Sequence, residues 1–173
     1  VLGPSYDFFD TLFNKYPHME IIAEDLGDLR DEVHLLRDHY DLRGMRVLEF
    51  SLDLLSEEDK TNLIVYTGTH DNETLYSFLK KLGKRKSRQL AKDLDTLKIP
   101  GEDLYDRLIN YCLSLKAEYV IFPYSDLLRL TNKARINEPG LINDKNWCYR
   151  LNSLNELEKV LISYKPLLKR YKR

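Results

Sequence analysis

The chain has 173 residues, 43% of them hydrophobic and 32% charged, a make-up that argues for a folded domain and against disorder. Its 27 lysines and arginines nearly balance 28 aspartates and glutamates, so no net field draws it to nucleic acid, an anionic membrane or a strongly acidic partner, and a neutral partner is expected. No apolar run approaches the ~20 residues that span a bilayer, and Val1-Leu2-Gly3-Pro4 lacks a signal-peptide pattern. The cysteines, Cys112 and Cys148, form no disulfide framework and no metal-like spacing, so a cytoplasmic location is expected. Val1 in place of an initiating methionine is the expected mark of a cut inside a longer gene product.

In chain order, residues 5–16 are expected to form a helix. Met19-Glu20-Ile21-Ile22-Ala23-Glu24-Asp25 then makes a short apolar stretch ending in two acids, punctuated by Leu26-Gly27, and is predicted as a buried strand with carboxylates at its C-terminal end. Asp28 can cap the next helix, whose first turn holds Asp31 and Glu32 and whose apolar positions Val33, Leu36 and Tyr40 recur at helical spacing. A second strand is predicted over 45–50, followed by a polar Ser/Glu/Asp loop. The β-branched run 63–67 is a third strand; it opens onto Gly68-Thr69-His70-Asp71-Asn72, with a helix over 73–82. Helices over 84–95 and 102–116 are separated by Ile99-Pro100-Gly101. A fourth strand over 119–123 is stopped by Pro123, and Ser125 can cap a short helix reaching residue 130. Residues 134–150 read as loop, and 153–171 as a closing amphipathic helix.

Strands alternating with helices imply parallel β/α units, and four such strands are half of a (β/α)8 barrel, whose chemistry sits at the C-terminal strand ends. Both acidic clusters fall there. A doubly wound open sheet is the other architecture to consider, but the first strand-to-helix turn carries no GxGxxG or GxxxxGK[ST] phosphate loop.

Adjacent strand residues face opposite ways, so Glu24 and Asp25 should have different tasks. A glutamate held among apolar strands can donate a proton near neutral pH. The structural alternative is that one of the acids caps the next helix or pairs with an arginine. The cluster Thr69-His70-Asp71-Asn72-Glu73 is chemically dense for a strand exit, yet it also suits a helix N-terminus with Thr69 or Asp71 as the cap. A metal site would need partner ligands that the spacing does not supply, and neither a GxSxG elbow nor a Cys/His neighbour pair favours nucleophilic serine or cysteine. Carboxylates converging from separate strand ends would suit glycosidic bond cleavage.

Read together, Ile22-Ala23-Glu24-Asp25-Leu26-Gly27, Gly44-Met45-Arg46-Val47-Leu48-Glu49-Phe50 and Tyr66-Thr67-Gly68-Thr69-His70-Asp71-Asn72-Glu73-Thr74 resemble the amylomaltase family of 4-alpha-glucanotransferases in order and spacing. The likeness continues through Pro123, Asp126-Leu127-Leu128, Ala134-Arg135-Ile136-Asn137 and Pro139-Gly140 to Asn146-Trp147-Cys148-Tyr149-Arg150. The resemblance implies that residues 1–173 are the C-terminal part of a glucanotransferase catalytic barrel with the upstream half absent, acting on maltooligosaccharides or other alpha-1,4-glucans without cofactor or metal. By the same resemblance Glu24 is the general acid/base, Asp71 the transition-state-stabilising aspartate, His70 a donor-sugar ligand and Asn137 part of the sugar cleft. The implied reaction is retaining: a nucleophilic aspartate forms a glycosyl-enzyme, which the 4-hydroxyl of an acceptor glucan then resolves.

The sequence departs from the family pattern at some points. Nothing in it corresponds to the family's nucleophile, so the chain alone is expected to be inactive. A glutamine usual in the family is absent from Tyr124-Ser125-Asp126, and Cys148 stands where an aromatic is common. Two other readings remain beside the transferase: a retaining alpha-glucan hydrolase, and a non-catalytic carbohydrate-binding or interaction fragment. A half-barrel would also expose two strand edges and leave interior positions Ile22, Val47, Val65 and Ile121 without an opposite wall, so dimerisation through those edges, or a partly molten state, is expected.

Overall fold

The computed structural model describes residues 3–56 and 59–173. Glu57 and Glu58, part of the expected polar loop, lie outside the described residues, as do Val1 and Leu2. Among the described residues the elements run α1 (Ser5–Lys15), α2 (Asp31–His39), β1 (Gly44–Val47), a single 3-10 turn (Leu48–Phe50), β2 (Leu63–Tyr66), α3 (Leu75–Lys81), α4 (Lys84–Thr96), α5 (Leu104–Ser114), β3 (Tyr119–Ile121), α6 (Tyr124–Leu127), a second 3-10 turn (Asn132–Ala134) and α7 (Asn155–Arg170). Asp103 caps α5 by accepting from the Asp106 amide at 2.8 Å, and Thr74 caps α3 by accepting from Ser77 N at 3.3 Å.

The strands form a parallel sheet in the order β1-β2-β3, with Val47 beside Tyr66 and Tyr66 beside Ile121. The alternating arrangement of strands and helices is that of an α/β fold.

The expected first strand is reduced to one parallel bridge between Ile22 and Arg43. Ala23 N donates to Arg43 O at 2.7 Å, but the Asp25 amide turns back onto Ala23 O at 3.0 Å and diverts the chain from a strand path. The ladder position is taken by a side chain: Met45 N donates to Asp25 Oδ1 at 2.7 Å. The turn out of this segment is completed by Gly27 at φ +93°, a conformation that a Cβ disfavours. The other departures are smaller: β1 stops at Val47 and passes into a 3-10 turn, α2 begins at Asp31 with Arg30 rather than Asp28 before it, and α6 ends at Leu127.

Val65 and its neighbour Val120 face the helices, where Leu75, Leu90, Leu94, Leu108, Ile109 and Cys112 close the main core. This corrects the expectation that Val65 lines an uncovered interior; Val65 and Val47 are each 1% exposed. Ile22 and Ile121, by contrast, are exposed. α7 docks on the same core through Tyr164, Leu167, Leu168 and Tyr171, and the Tyr171 hydroxyl donates to Asn110 Oδ1 at 3.0 Å. At the amino ends of the strands, Arg43 bridges Glu118 and Glu20 and so joins the start of β1 to the start of β3. No helix among the described residues is long and apolar enough to cross a membrane.

Candidate active site

The two acids that end the 19–25 segment are treated very differently by the fold. Asp25 is turned inward: Arg37 of α2 pairs with Oδ2, Met45 N occupies Oδ1, and the side chain is only 6% exposed. That is the arginine-paired structural role weighed for one of these acids. Glu24 is exposed, and among the described residues no hydrogen bond or ion pair holds its carboxylate. Its charge is felt by Tyr66, the last residue of β2, whose phenol is raised above its ordinary pKa first by burial and then by Glu24. Glu24 is therefore within electrostatic reach of the strand end from which the second acidic cluster departs.

That cluster is the 68–73 loop between β2 and α3. Asn72, 8% exposed, accepts from Thr69 N and from Thr69 Oγ1, both at 2.8 Å, while Thr69 Oγ1 accepts from Asp71 N at 3.3 Å. The loop is thus closed by its own side chains, and Asp71 is left at the tip, half-exposed. The Asn137 amide donates to Asp71 Oδ1 at 2.6 Å, and His70 Nε2 lies 3.3 Å from the same oxygen. Main-chain bonds weld the two loops together: Asn137 N donates to His70 O at 3.1 Å, and Arg135 donates to Asp71 O at 2.7 Å and to Asn137 O at 2.8 Å. His70, Asp71 and Asn137 form one cluster; no hydrogen bond joins Glu24 to it among the described residues, and the Glu24 charge bears on Tyr66, which ends β2.

Sequence reasoning missed Trp147, Arg135 and Glu49. The Trp147 ring sits 5.0 Å from the His70 ring, with Trp147 65% exposed, so the pair offers an open aromatic surface beside Asp71. Trp147 adopts φ +64°, an uncommon conformation for a bulky residue, and its amide donates to Ile136 O at 2.7 Å. Trp147 and Arg135 both fell within recognised blocks, but neither carries a local signal of its contact across the chain. Glu49, in the turn after β1, accepts from Asn72 Nδ2 at 3.3 Å, and burial pushes its carboxyl up to about 8.

Behind the cluster Asp126, 1% exposed, accepts from Thr67 Oγ1 at 2.6 Å and from Leu75 N at 2.9 Å, which ties the end of β2 to the start of α3. A polar hollow of about 780 Å³ adjoins the site, lined by Glu73, Asn132, Arg135, Asn137, Asn146 and Tyr149. A larger one of about 870 Å³ lies on the Asp25–Arg37 side, beside Met45 and Asn62, away from His70 and Asp71. Among the described residues no group of His, Cys, Asp and Glu is arranged to hold a metal ion.

Fold and site together define an α/β protein with acidic, hydrogen-bonded side chains gathered at the carboxyl ends of parallel strands. The family model described as 4-alpha-glucanotransferase matches residues 1–156, and the chain belongs to that family. Among curated relatives, the 4-alpha-glucanotransferase of Aquifex aeolicus (strain VF5) is 33% identical over 156 residues, covering 87% of this chain and 32% of the relative. That of Synechocystis sp. (strain ATCC 27184 / PCC 6803 / Kazusa) is 32% identical, covering 89% and 32%, and the chloroplastic/amyloplastic protein of Solanum tuberosum is 31% identical, covering 96% and 29%. The chain spans about a third of the length of these relatives. An amylomaltase from Streptococcus agalactiae, solved in complex with acarbose, superposes on the whole chain with a TM-score of 0.86 at 24% identity, using 36% of its own length. At that identity the likeness speaks for the fold.

Proposed function

We propose that the chain is the acid/base-bearing C-terminal part of the catalytic (β/α)8 barrel of a 4-alpha-glucanotransferase, transferring alpha-1,4-glucan segments to the 4-hydroxyl of an acceptor. The observation that supports this reading is the His70–Asp71–Asn137 cluster at the exit of β2, with an unencumbered Glu24 whose charge is felt by Tyr66 at the end of that strand. Glu24 protonates the leaving glycosidic oxygen and then takes the proton from the incoming hydroxyl. Asp71 carries negative charge toward the oxocarbenium-like transition state, with Asn137 fixing one of its oxygens. His70 and Trp147 supply a polar edge and a stacking face for the sugar ring. No residue of this chain is assigned as the nucleophile, so the chain by itself binds glucan without turning it over. A cytoplasmic setting accords with the balanced charge and sparse cysteine, and the exposed Tyr119 and Ile121 of β3 support association of two copies through that edge.

The test is maltotriose disproportionation by three proteins: this chain, the Aquifex relative with its matching segment replaced by this chain, and the same chimera carrying Glu24→Gln. The chimera should release glucose and build longer maltodextrins, and the variant should lose activity by at least about a thousandfold, the loss of a general acid/base compounded by its dual use. The chain alone should be inactive. An active Glu24→Gln chimera would overturn the assignment, and glucose without longer products would replace the transferase with a hydrolase.

A further inference from the structure

We propose that Glu49 is a positioning residue for Asp71: its carboxyl group locks the side-chain amide of Asn72, and through Asn72 and Thr69 it holds the 68–73 loop in the form that presents Asp71. Because Asp71 takes its role from the proposed function, this inference rests on that reading.

The geometry is a relay. An amide side chain has one accepting end and one donating end, and Asn72 must point Oδ1 at Thr69 to receive both the amide and the hydroxyl of that residue. Its Nδ2 then faces the turn after β1, where it donates to Glu49 Oε2. A flip of Asn72 would put an NH2 against the Thr69 N–H, which can only donate, and would withdraw the donor that Glu49 Oε2 accepts, so the two contacts together fix the orientation on which the loop depends. Thr69 Oγ1, oriented by Asn72, in turn accepts from the Asp71 amide. Glu49 Oε1 is buried without a hydrogen-bond partner among the described residues, and the backbone passes so close that a Cβ on Gly68 would lie 3.5 Å from it and 3.2 Å from Asn72 Cβ.

A carboxylate with one buried oxygen unpartnered is costly to ionise. The groups that face it are Asn72, the acids Asp126 and Glu73, and Arg135; burial first, and then the acids, raise its pKa to about 8, against the lowering by Asn72 and Arg135. Near pH 7 Glu49 is therefore mainly a neutral acid with one oxygen still free to accept. Glutamine reproduces that state, with an amide oxygen for Asn72. Ionisation at higher pH forces water or a cation into the space beside Gly68 and loosens the relay.

The experiment is NMR on this chain and its Glu49→Gln and Glu49→Leu variants between about pH 5.5 and 9.5, with acarbose as the probe. In the unaltered chain the Thr69 and Asp71 amides should follow the Glu49 titration, and acarbose affinity should fall about tenfold as pH rises through it, the equivalent of one satisfied buried hydrogen bond. Glu49→Gln should bind within about twofold of the neutral-pH value at every pH, while Glu49→Leu is about tenfold weaker throughout. Silent Thr69 and Asp71 amides through the Glu49 titration, or a Gln variant as weak as the Leu variant, would overturn the proposal. Should Glu49→Leu fail to fold, the unaltered and Gln proteins decide. Should the unaltered chain bind no acarbose, the functional reading falls instead, and the amide response alone decides whether Glu49 positions the loop.

Discussion

Replacing Gly44 by alanine tests whether the buried side of the Glu24–Asp25 pair is as constrained as its contacts suggest. A Cβ on Gly44 would lie 2.7 Å from Asp25 Oδ2 and 3.4 Å from both Cγ and Oδ1, so Oδ2 must retreat by about 0.7 Å to regain ordinary contact. It has nowhere to go without cost, because Oδ1 holds the Met45 amide and Oδ2 holds Arg37 in a place where the side chain is only 6% exposed. Weakening both charge-assisted bonds should cost roughly 2–4 kcal/mol, with Arg37 recovering some of its share from solvent and from Asp38. For a chain of this size that is a fall in Tm of about 6–12 °C. Thermal and urea unfolding of Gly44→Ala, Asp25→Ala and the double variant form a cycle. Asp25→Ala should cost a similar amount, and adding Gly44→Ala to it should then cost less than about 0.5 kcal/mol, giving an interaction of about 1.5 kcal/mol or more. Additive losses, or a Gly44→Ala chain as stable as the original, would refute the claim that Asp25 is locked from both sides.

Asp126→Ala should lower stability by about 3–5 kcal/mol, since it strands the Thr67 hydroxyl and the Leu75 amide in a place closed to water; denaturant unfolding measures this, and a loss below about 1 kcal/mol would contradict it. Stability should also decline as pH rises from about 4.5 through about 8, because folded Glu49 holds its proton over a range in which the unfolded chain has released it. Asp126, likewise raised by burial, contributes in the same direction. The Glu49 part should be of order 3 kcal/mol after allowance for solvent screening, is absent below the unfolded value, and should disappear in Glu49→Gln; an unchanged pH slope in that variant would count against the raised pKa.

The elements most legible in the sequence were those with dense local signals. Leu63–Tyr66 is apolar and β-branched and ran true as a strand, and the α4–α5 boundary followed from Ile99-Pro100-Gly101. The 19–25 segment has the same apolar character but not the same outcome, since no pattern of hydrophobicity announces that an aspartate side chain will replace a backbone partner for Met45. In the candidate site, Glu24, His70, Asp71 and Asn137 were named as candidates from the ordered motifs. Their geometry could not be read there: Asp71 and Asn137 are 66 residues apart and meet by a loop-to-loop bond with no periodicity to betray it. Glu49 escaped notice because an acid at the end of a short strand reads as solvated until the neighbouring loop is seen to fold over it.

The Arg43 bridge to Glu118 and Glu20 lies at the amino ends of the strands, whereas His70 and Asp71 lie in the loop that leaves the carboxyl end of β2. This separation gives directed evolution two nearly independent libraries. Substitutions around Arg43, Glu118 and Glu20 can be screened for heat and salt tolerance by melting temperature alone, while the loops carrying Asp71, Asn137 and Trp147 are varied for ligand preference. Gains found in each library should combine with little interference, because none of the bonds that hold His70, Asp71 and Asn137 runs to Arg43, Glu118 or Glu20.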